Sequence, residues 1–370
     1  MKTSVALATY NGERFIRDQL ASLSAQTRLP DELVVSDDCS TDRTLAIIEE
    51  FARTAPFPVR ISQNETNLGF SDNFLRAASM CRGDWIAFCD QDDIWLPNKI
   101  SVCEQHTRIP DRNIVVVAHN AEIVDERLTR SGIRYLNLTK TIICRGRQLP
   151  NLWVASGFTM VFRSDLFFDI SSDGRGPDPG VPGSKLAHDV WICRLARILG
   201  DVAILPDCLA LYRRHSATTT TFLAGGNESV RESKRLRRQI QAIAVSGADT
   251  YRAHSEAASR QAQAFQRLSG DAKLFKWRRH FLRASIEYAA LSKWLRHKSC
   301  VYGDTQVVHR ILHLGTLFIS NGYMRFNGYS WINVRKMIKE LAIDTIMAFH
   351  GPTKVADKRN HVKDNSVSNR

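Results

Sequence analysis

A chain of 370 residues in which 44% are hydrophobic and 24% charged has the composition of an ordinary soluble protein, with room for one large domain or two moderate ones. Its nearest approach to a membrane span, Ile311 to Ile319, is interrupted by His313 and falls short of the roughly 20 apolar residues that a bilayer requires. The formal net charge of +13 is unevenly spread, because residues 226–370 hold 26 Lys and Arg against 11 Asp and Glu, whereas residues 1–225 hold 25 against 27. The basic C-terminal part could meet an anionic membrane surface, a pyrophosphate-linked substrate or nucleic acid, and charge alone does not choose among them. Eight cysteines without a C-x-x-C pair suggest neither a zinc site nor a disulfide framework. Met1-Lys2-Thr3-Ser4 leads directly into a strand pattern rather than a signal peptide, so the expected location is the cytoplasm.

In chain order, strand patterns at Ser4–Ala8, Glu32–Ser36 and Val59–Ser62 alternate with helical ones near Glu13–Gln26, Thr41–Thr54 and Ser71–Cys81. A buried strand Trp85–Cys89, a helix after Pro97 and a β-rich run Ile114–Ala118 follow. This alternation predicts an α/β fold with a mainly parallel sheet flanked by helices. A polar region then reaches about Leu149, and the Gly/Pro-rich loop Asp173–Gly183 is expected to be mobile and to cover a site. A helix begins near His188-Asp189, short strands fall at Val202–Leu205 and Leu209–Arg213, and helices are predicted over Ser229–Leu268, Lys273–Lys298 and Thr305–Ser320. The expected organisation is a catalytic domain 1–225, with halves at about 1–118 and 119–225, a basic helical extension 226–350 and a disordered tail 351–370.

The densest chemical signal is Asp90-Gln91-Asp92-Asp93 directly after the apolar run Trp85–Cys89. Like charges this close are held together where a cation or polar solvent offsets their repulsion. The carboxyl end of a strand in an open sheet is also where ligands gather. On an extended strand Asp90 and Asp92 point the same way and Asp93 elsewhere. Magnesium and manganese favour such carboxylates and leave positions for substrate phosphates. A solvated turn capping the next helix, with Pro97 in its first turn, fits the same residues.

Several segments together resemble the inverting glycosyltransferases of family 2, over about Thr3 to His215, with rhamnosyltransferase-like members nearest. Ala8-Thr9-Tyr10-Asn11-Gly12 is similar to that family's first strand and nucleotide-contacting turn, and Val35-Ser36-Asp37-Asp38-Cys39-Ser40-Thr41-Asp42 to its acidic loop, with Cys39 where Gly or Asn is more usual. Asn67-Leu68-Gly69 resembles the donor-side N-x-G segment, and Asp90-Gln91-Asp92-Asp93 takes the place of the DXD motif. Ser156-Gly157-Phe158 resembles the acceptor-side strand, Lys185–Trp191 the segment with the catalytic base, and Tyr212-Arg213-Arg214-His215 the Tyr-Arg-x-His end.

The resemblance implies the GT-A fold and a nucleoside-diphosphate sugar donor, UDP-linked or dTDP-rhamnose. It places Thr9, Tyr10, Asn11, Asp38, Asn67, Gly69 and Asp90 at the nucleotide, with Asp38 on the base. A carboxylate accepts the imide N–H of uracil or thymine, which purines do not reproduce. Asp90, Asp92 and His215 would hold Mn²⁺ or Mg²⁺, and Asp189 would be the base. Asp93, Gly157, Arg213 and Arg214 would lie on the diphosphate or acceptor side. The bland alternatives are helix capping by Ser40 or Asp42, a helix-N-terminal carboxylate at Asp189, and solvated arginines beside a surface His215. The Thr218–Thr221 run reads as a segment closing over the donor.

The acceptor expected is a glycan, or one carried on a polyprenyl diphosphate in bacterial surface polysaccharide assembly, with the basic extension resting on the inner face of the plasma membrane. A sugar-phosphate nucleotidyltransferase would show a Gly-rich phosphate loop where only Asn11-Gly12 stands. A nucleic-acid-binding protein would leave the acidic sites unexplained.

Overall fold

The alternation of short apolar runs with amphipathic stretches builds a sheet whose early strands carry their loops to one edge. The structure, a computed structural model, describes residues 1–149, 154–170, 172–215, 232–320, 341–345 and 347–349, without the side chains of 173 and 232–246. The chain divides into two compact units, one of Met1–Leu149, Trp153–Gly174 and Leu186–Phe222, the other of Pro150–Leu152, Arg175–Lys185 and Leu223–Arg370.

In the first unit β1 (Thr3–Thr9), α1 (Ile16–Ser24), β2 (Glu32–Asp37), α2 (Thr44–Ala52), β3 (Val59–Gln63), α3 (Phe70–Ser79) and β4 (Trp85–Cys89) follow one another, then β5 (Ile94–Trp95), α4 (Lys99–Gln105) and β6 (Ile114–Val124). After these come β7 (Arg130–Arg134), β8 (Ile142–Arg145), β9 (Met160–Arg163), α5 (Asp165–Phe168), α6 (His188–Leu199) and β10 (Asp201–Arg213). They form one ten-stranded sheet in the order β3-β2-β1-β4-β9-β6-β10-β5, with β7 on β6 and β8 on β10. The pairs β2/β3, β1/β2, β1/β4 and β6/β10 are parallel, and β9 enters antiparallel to both β4 and β6. The fold is thus mixed α/β, with a central sheet flanked by helices. Its core joins Val5, Leu7, Leu33 and Val35 of the strands to Ile16, Leu20, Leu23, Ile47 and Ile48 of the helices. Each strand there offers consecutive buried residues because helices cover both faces.

Three differences from the sequence pattern have local causes. The first helix starts at Ile16 rather than near Glu13, because the Phe15 and Ile16 amides both bond Gly12 O at 3.0 Å and spend the preceding residues in a turn. Strand β7 is exposed at every position, so it lacks the apolar alternation by which strands are read. Val202–Leu205 and Leu209–Arg213 are one strand, whose register shifts between Ile204 and Cys208. Pro206 sits at this irregularity, where the missing N–H costs no ladder bond.

The second unit is helical: α7 (Glu232–Gly270), α8 (Arg278–Gly303) and α9 (Val307–Ile319). Ser255 Oγ donates to Ser292 O and Ser299 Oγ to Ala248 O, both at 2.8 Å, which sets α7 and α8 antiparallel. Phe265, Phe281 and Tyr288 fill their interface. Lys298 and Asp344, both almost wholly buried, pair at 3.3 Å. Arg175–Lys185, which takes in most of the Gly/Pro-rich loop Asp173–Gly183, belongs to this unit. Among the described residues no helix is long and apolar enough to cross a membrane. The Thr218–Thr221 run, the helix start before Glu232 and the tail beyond Gly351 lie outside the described residues.

Candidate active site

Strands β1, β2 and β4 end beside one another, and their loops enclose a cavity of about 630 Å³. Among the residues named from sequence, Thr9, Tyr10, Asn11, Asp38, Asn67, Gly69, Asp90, Asp92 and His215 line it. Asp189, Gly157, Asp93, Arg213 and Arg214 do not.

The first wall is a pair of interlocked loops. Asn11, at φ 46°, takes the left-handed conformation that asparagine tolerates better than most side chains. Its amide donates to Ser40 Oγ at 2.9 Å and its Oδ1 accepts the Thr41 amide at 2.9 Å. Glu13 and Arg43 continue the exchange, the Glu13 amide bonding Asp42 Oδ2 and Glu13 Oε2 accepting the Arg43 amide. Asp42 Oδ1 also accepts the Thr44 amide at 2.9 Å, a local turn just ahead of the helix.

Asp38 holds the opposite wall. Its Oδ1 accepts Asn64 Nδ2 at 2.9 Å and the Leu68 amide at 2.7 Å, and its Oδ2 accepts the Gly69 amide at 2.9 Å. Gly69, at φ 81° and ψ 157°, starts α3 in a conformation reserved almost entirely for glycine. Asp38 therefore fixes the Asn67-Leu68-Gly69 turn, with three bonds on a carboxylate that offers about four acceptor sites.

The acidic loop forms the floor. Asp90, Gln91 and Asp92 all line the cavity, and Gln91 also clamps the first loop, accepting the Tyr10 amide at 2.9 Å and donating to Tyr10 O at 3.0 Å. A Cβ on Gly12 would lie 2.3 Å from Gln91 Oε1, so only glycine admits this clamp. His215 Nε2 lies 2.7 Å from Asp92 Oδ2, and its ring packs on Phe15 at 4.6 Å. Removal from water, then the charges of Asp92 and Asp189, push the Asp90 carboxyl up to about 8. Asp93 is 1% exposed. Burial, then Asp92 and Asp90, hold it well above the carboxylate range. Burial and acidic neighbours thus both oppose ionisation within the cluster.

Asp93, Arg213 and Arg214, expected on the diphosphate or acceptor side, are bonded as follows. Asp93 Oδ1 accepts the Arg213 amide at 3.0 Å, because the chain has turned inward by that residue. The Arg213 guanidinium donates to Asp18 Oδ2 at 2.9 Å and Glu126 O at 3.2 Å and lies over Phe15, so it ties β10 to α1. Arg214 Nη1 donates to the Tyr212 hydroxyl at 3.0 Å.

Asp189 sits in the first turn of α6, its Oδ1 accepting the Val190 amide at 2.7 Å and its Oδ2 the Gly157 amide at 3.2 Å. Its neighbour His188 stacks on Phe74 at 4.1 Å and meets Phe88 edge-on at 4.8 Å. A Cβ on Gly157 would come within 2.7 Å of His188 Nε2, so the approach of the Gly157 turn to α6 requires glycine. Next to that turn Phe158 stacks on Tyr212 at 4.9 Å, and Tyr135 packs edge-on against both.

Sequence reasoning missed Lys99. It is wholly buried, its Nζ donates to Phe158 O at 2.7 Å, and it lies 3.5 Å from the Trp95 ring centroid. Burial pushes its ammonium down to about 8 against the pull of nearby acids, among them Asp93 and Asp90. One lysine thus faces the acids from below and also holds the turn that hands an N–H to Asp189. A lone basic residue among Leu96, Ile100 and Cys103 was the available signal. Gln91 was equally legible only as a spacer.

The cavity, with its paired carboxylates and a further carboxylate beyond them, lies at the carboxyl ends of parallel strands, where open α/β sheets place their ligands. Residues 4–170 match the model of the family "Glycosyl transferase family 2", so over this stretch the chain is similar to the members of that family. The chain is 41% identical to the dTDP-rhamnosyl transferase RfbG of Shigella flexneri over 98 residues, 25% of this chain and 34% of that protein. It is 28% identical to the Mycobacterium tuberculosis protein Rv1520 over 218 residues, 58% of this chain and 59% of the relative, so it spans less than two thirds of that relative's length. Staphylococcus aureus TarS 1–349, solved with UDP-GlcNAc, covers 90% of this chain with 95% of its own at 19% identity and a TM-score of 0.48. The mannosyltransferase PcManGT from Pyrobaculum calidifontis, solved with GDP-Man and Mn²⁺, covers 94% of this chain with 85% of its own at 14% identity and a TM-score of 0.42.

Proposed function

We propose that the chain transfers a sugar, with inversion, from a nucleoside-diphosphate donor to a hydroxyl of a glycan or polyprenyl-diphosphate-linked acceptor at the cytoplasmic face of a bacterial membrane. The observation that carries this reading is the convergence of Asp90, Asp92 and His215 on the same cavity as the Thr9–Asn11 turn and Asp38. The likeness to a dTDP-rhamnosyl transferase favours dTDP-rhamnose among the donors, with UDP-sugars next.

The donor set suits Mn²⁺ or Mg²⁺. Among the described residues no three His, Cys, Asp or Glu side chains form a ready cage, but these ions commonly take only one or two carboxylates and complete their shell with water and phosphate. Asp90 and Asp92 would hold the ion, and the imidazole of His215 would ligate it or orient Asp92. The ion would supply charge stabilisation for the departing diphosphate.

The remaining steps fall to the chain's own groups. The Tyr10–Asn11 turn, the Asn67–Gly69 turn and Asp38 orient the nucleotide. Asp189, kept in place by the Gly157 amide, accepts the proton of the acceptor hydroxyl as that oxygen attacks the anomeric carbon opposite the leaving group, an effect of about 10²–10⁴ in rate. No covalent sugar intermediate is required. A screen of UDP-, dTDP- and GDP-sugars with either ion tests the reading. Asp92→Ala is expected to lose ion-dependent donor binding, and Asp189→Asn to keep donor binding and lose transfer. Identical defects in the two variants would refute this division of roles.

A further inference from the structure

Helix α9 wears its apolar face on the outside. Val307, Val308, Ile311, Leu312, Phe318 and Ile319 are all exposed, Val308 at 67%, Leu312 at 64% and Ile319 at 89%. At 3.6 residues per turn they share one arc about 140° wide. The residues turned inward are Leu317 and Arg310, whose guanidinium donates to Ala348 O at 3.0 Å and Asp304 O at 2.7 Å. An amphipathic helix on a soluble body does the reverse and buries its apolar stripe. Among the described residues the bundle holds α9 through an arginine and leaves uncovered a band of aliphatic and aromatic side chains.

Charge identifies the occupant. Helix α8 packs beside α9, where His297 Nδ1 and His313 Nδ1 lie 2.9 Å apart. Its own exposed stripe interleaves Arg279, Arg283, Lys293 and Arg296 with Leu282 and Ile286, the last 60% exposed. Neither helix has an exposed acidic residue. Two copies meeting through this face would bring like-charged stripes together, which is unfavourable. Anionic headgroups instead compensate each cation while the acyl boundary takes up the apolar band.

We infer that α9 lies in the plane of an anionic lipid surface, with Val308, Leu312 and Ile319 inserted and the α8 cations on the headgroups. The inference deepens the membrane-side part of the reading above, which requires only electrostatic contact.

The test is co-sedimentation of the full chain with vesicles of phosphatidylcholine and phosphatidylglycerol in equal parts, against phosphatidylcholine alone. The double variant Val308→Ser/Leu312→Ser alters only exposed positions and leaves every charge in place, and circular dichroism checks that it folds. Wild type is expected to bind the anionic vesicles and the variant to bind them about tenfold or more weakly. Equal binding of the two overturns insertion while leaving electrostatic contact standing. Wild type that stays in the supernatant overturns both. Wild type that binds both vesicle types alike overturns the role of the cations. Wild type that forms dimers which the variant does not would assign the face to a second copy instead. Donor turnover by the same samples reports on the transferase reading independently.

Discussion

Replacing Lys99 by methionine keeps the aliphatic stem and deletes one buried charge. Phe158 O loses its donor, which for a buried acceptor costs about 1–3 kcal/mol. Asp93, whose Oδ2 has no hydrogen-bond partner among the described residues, makes no ion pair with Lys99 and loses only the weaker pull of a nearby buried cation. The relieved desolvation of the ammonium offsets part of this, so the expected net loss is roughly the 1–3 kcal/mol of the orphaned carbonyl. For a unit of this size each kcal/mol lowers the melting temperature by about 2–4 °C, so a drop of about 2–12 °C is expected in a thermal scan followed by circular dichroism. Adding Asp93→Asn removes the carboxylate left without a cation and should restore part of the loss, a positive coupling read from the double-mutant cycle. Donor turnover of the single variant should fall through kcat more than KM, since the Phe158 turn also presents the Gly157 amide to Asp189. A Lys99→Met protein as stable as wild type, or no coupling to Asp93, would refute the role assigned to this lysine.

Three further outcomes follow from the same geometry. The Asp90 carboxyl is raised from its ordinary 3.8 to about 8, so the folded state binds the extra proton and the associated stability, of the order of a few kcal/mol, is full below about 4 and lost as pH rises through about 8. Melting temperature without divalent ions should therefore decline across that window and Mn²⁺ should flatten the decline, whereas a profile already flat in chelator would contradict the electrostatics. Asp38→Asn places an amide N–H₂ against the Leu68, Gly69 or Asn64 donors and should destabilise the unit by about 1–3 kcal/mol in denaturant melts even without nucleotide, an outcome that a purely base-binding Asp38 does not produce. Gly157→Ala drives a methyl to within 2.7 Å of His188 Nε2 and should lower kcat about tenfold or more with donor KM little changed, so steady-state kinetics with an unaltered kcat would disprove the tight packing of the Gly157 turn on α6.

By itself the sequence carried the alternating elements of the first half, the position of the acidic loop and the family likeness, because these depend on short-range periodicity and on residue types clustered in the chain. Asp90 and Asp92 both line the cavity, but β4 ends at Cys89, so the bend of the loop rather than strand alternation presents them. Tertiary structure decided the rest. The antiparallel entry of β9, the exposed β7 and the continuity of β10 past Pro206 depend on which strands pair, which no local window records. Arg213 shows the limit most plainly, because no local window records that Asp18 and Glu126, distant in sequence, hold its guanidinium. Lys99 is the converse case. Its importance comes from being sealed beneath acids and a carbonyl brought there by β4, β5 and the Phe158 turn, and a charge acquires that energetic weight only once folding has taken the water away.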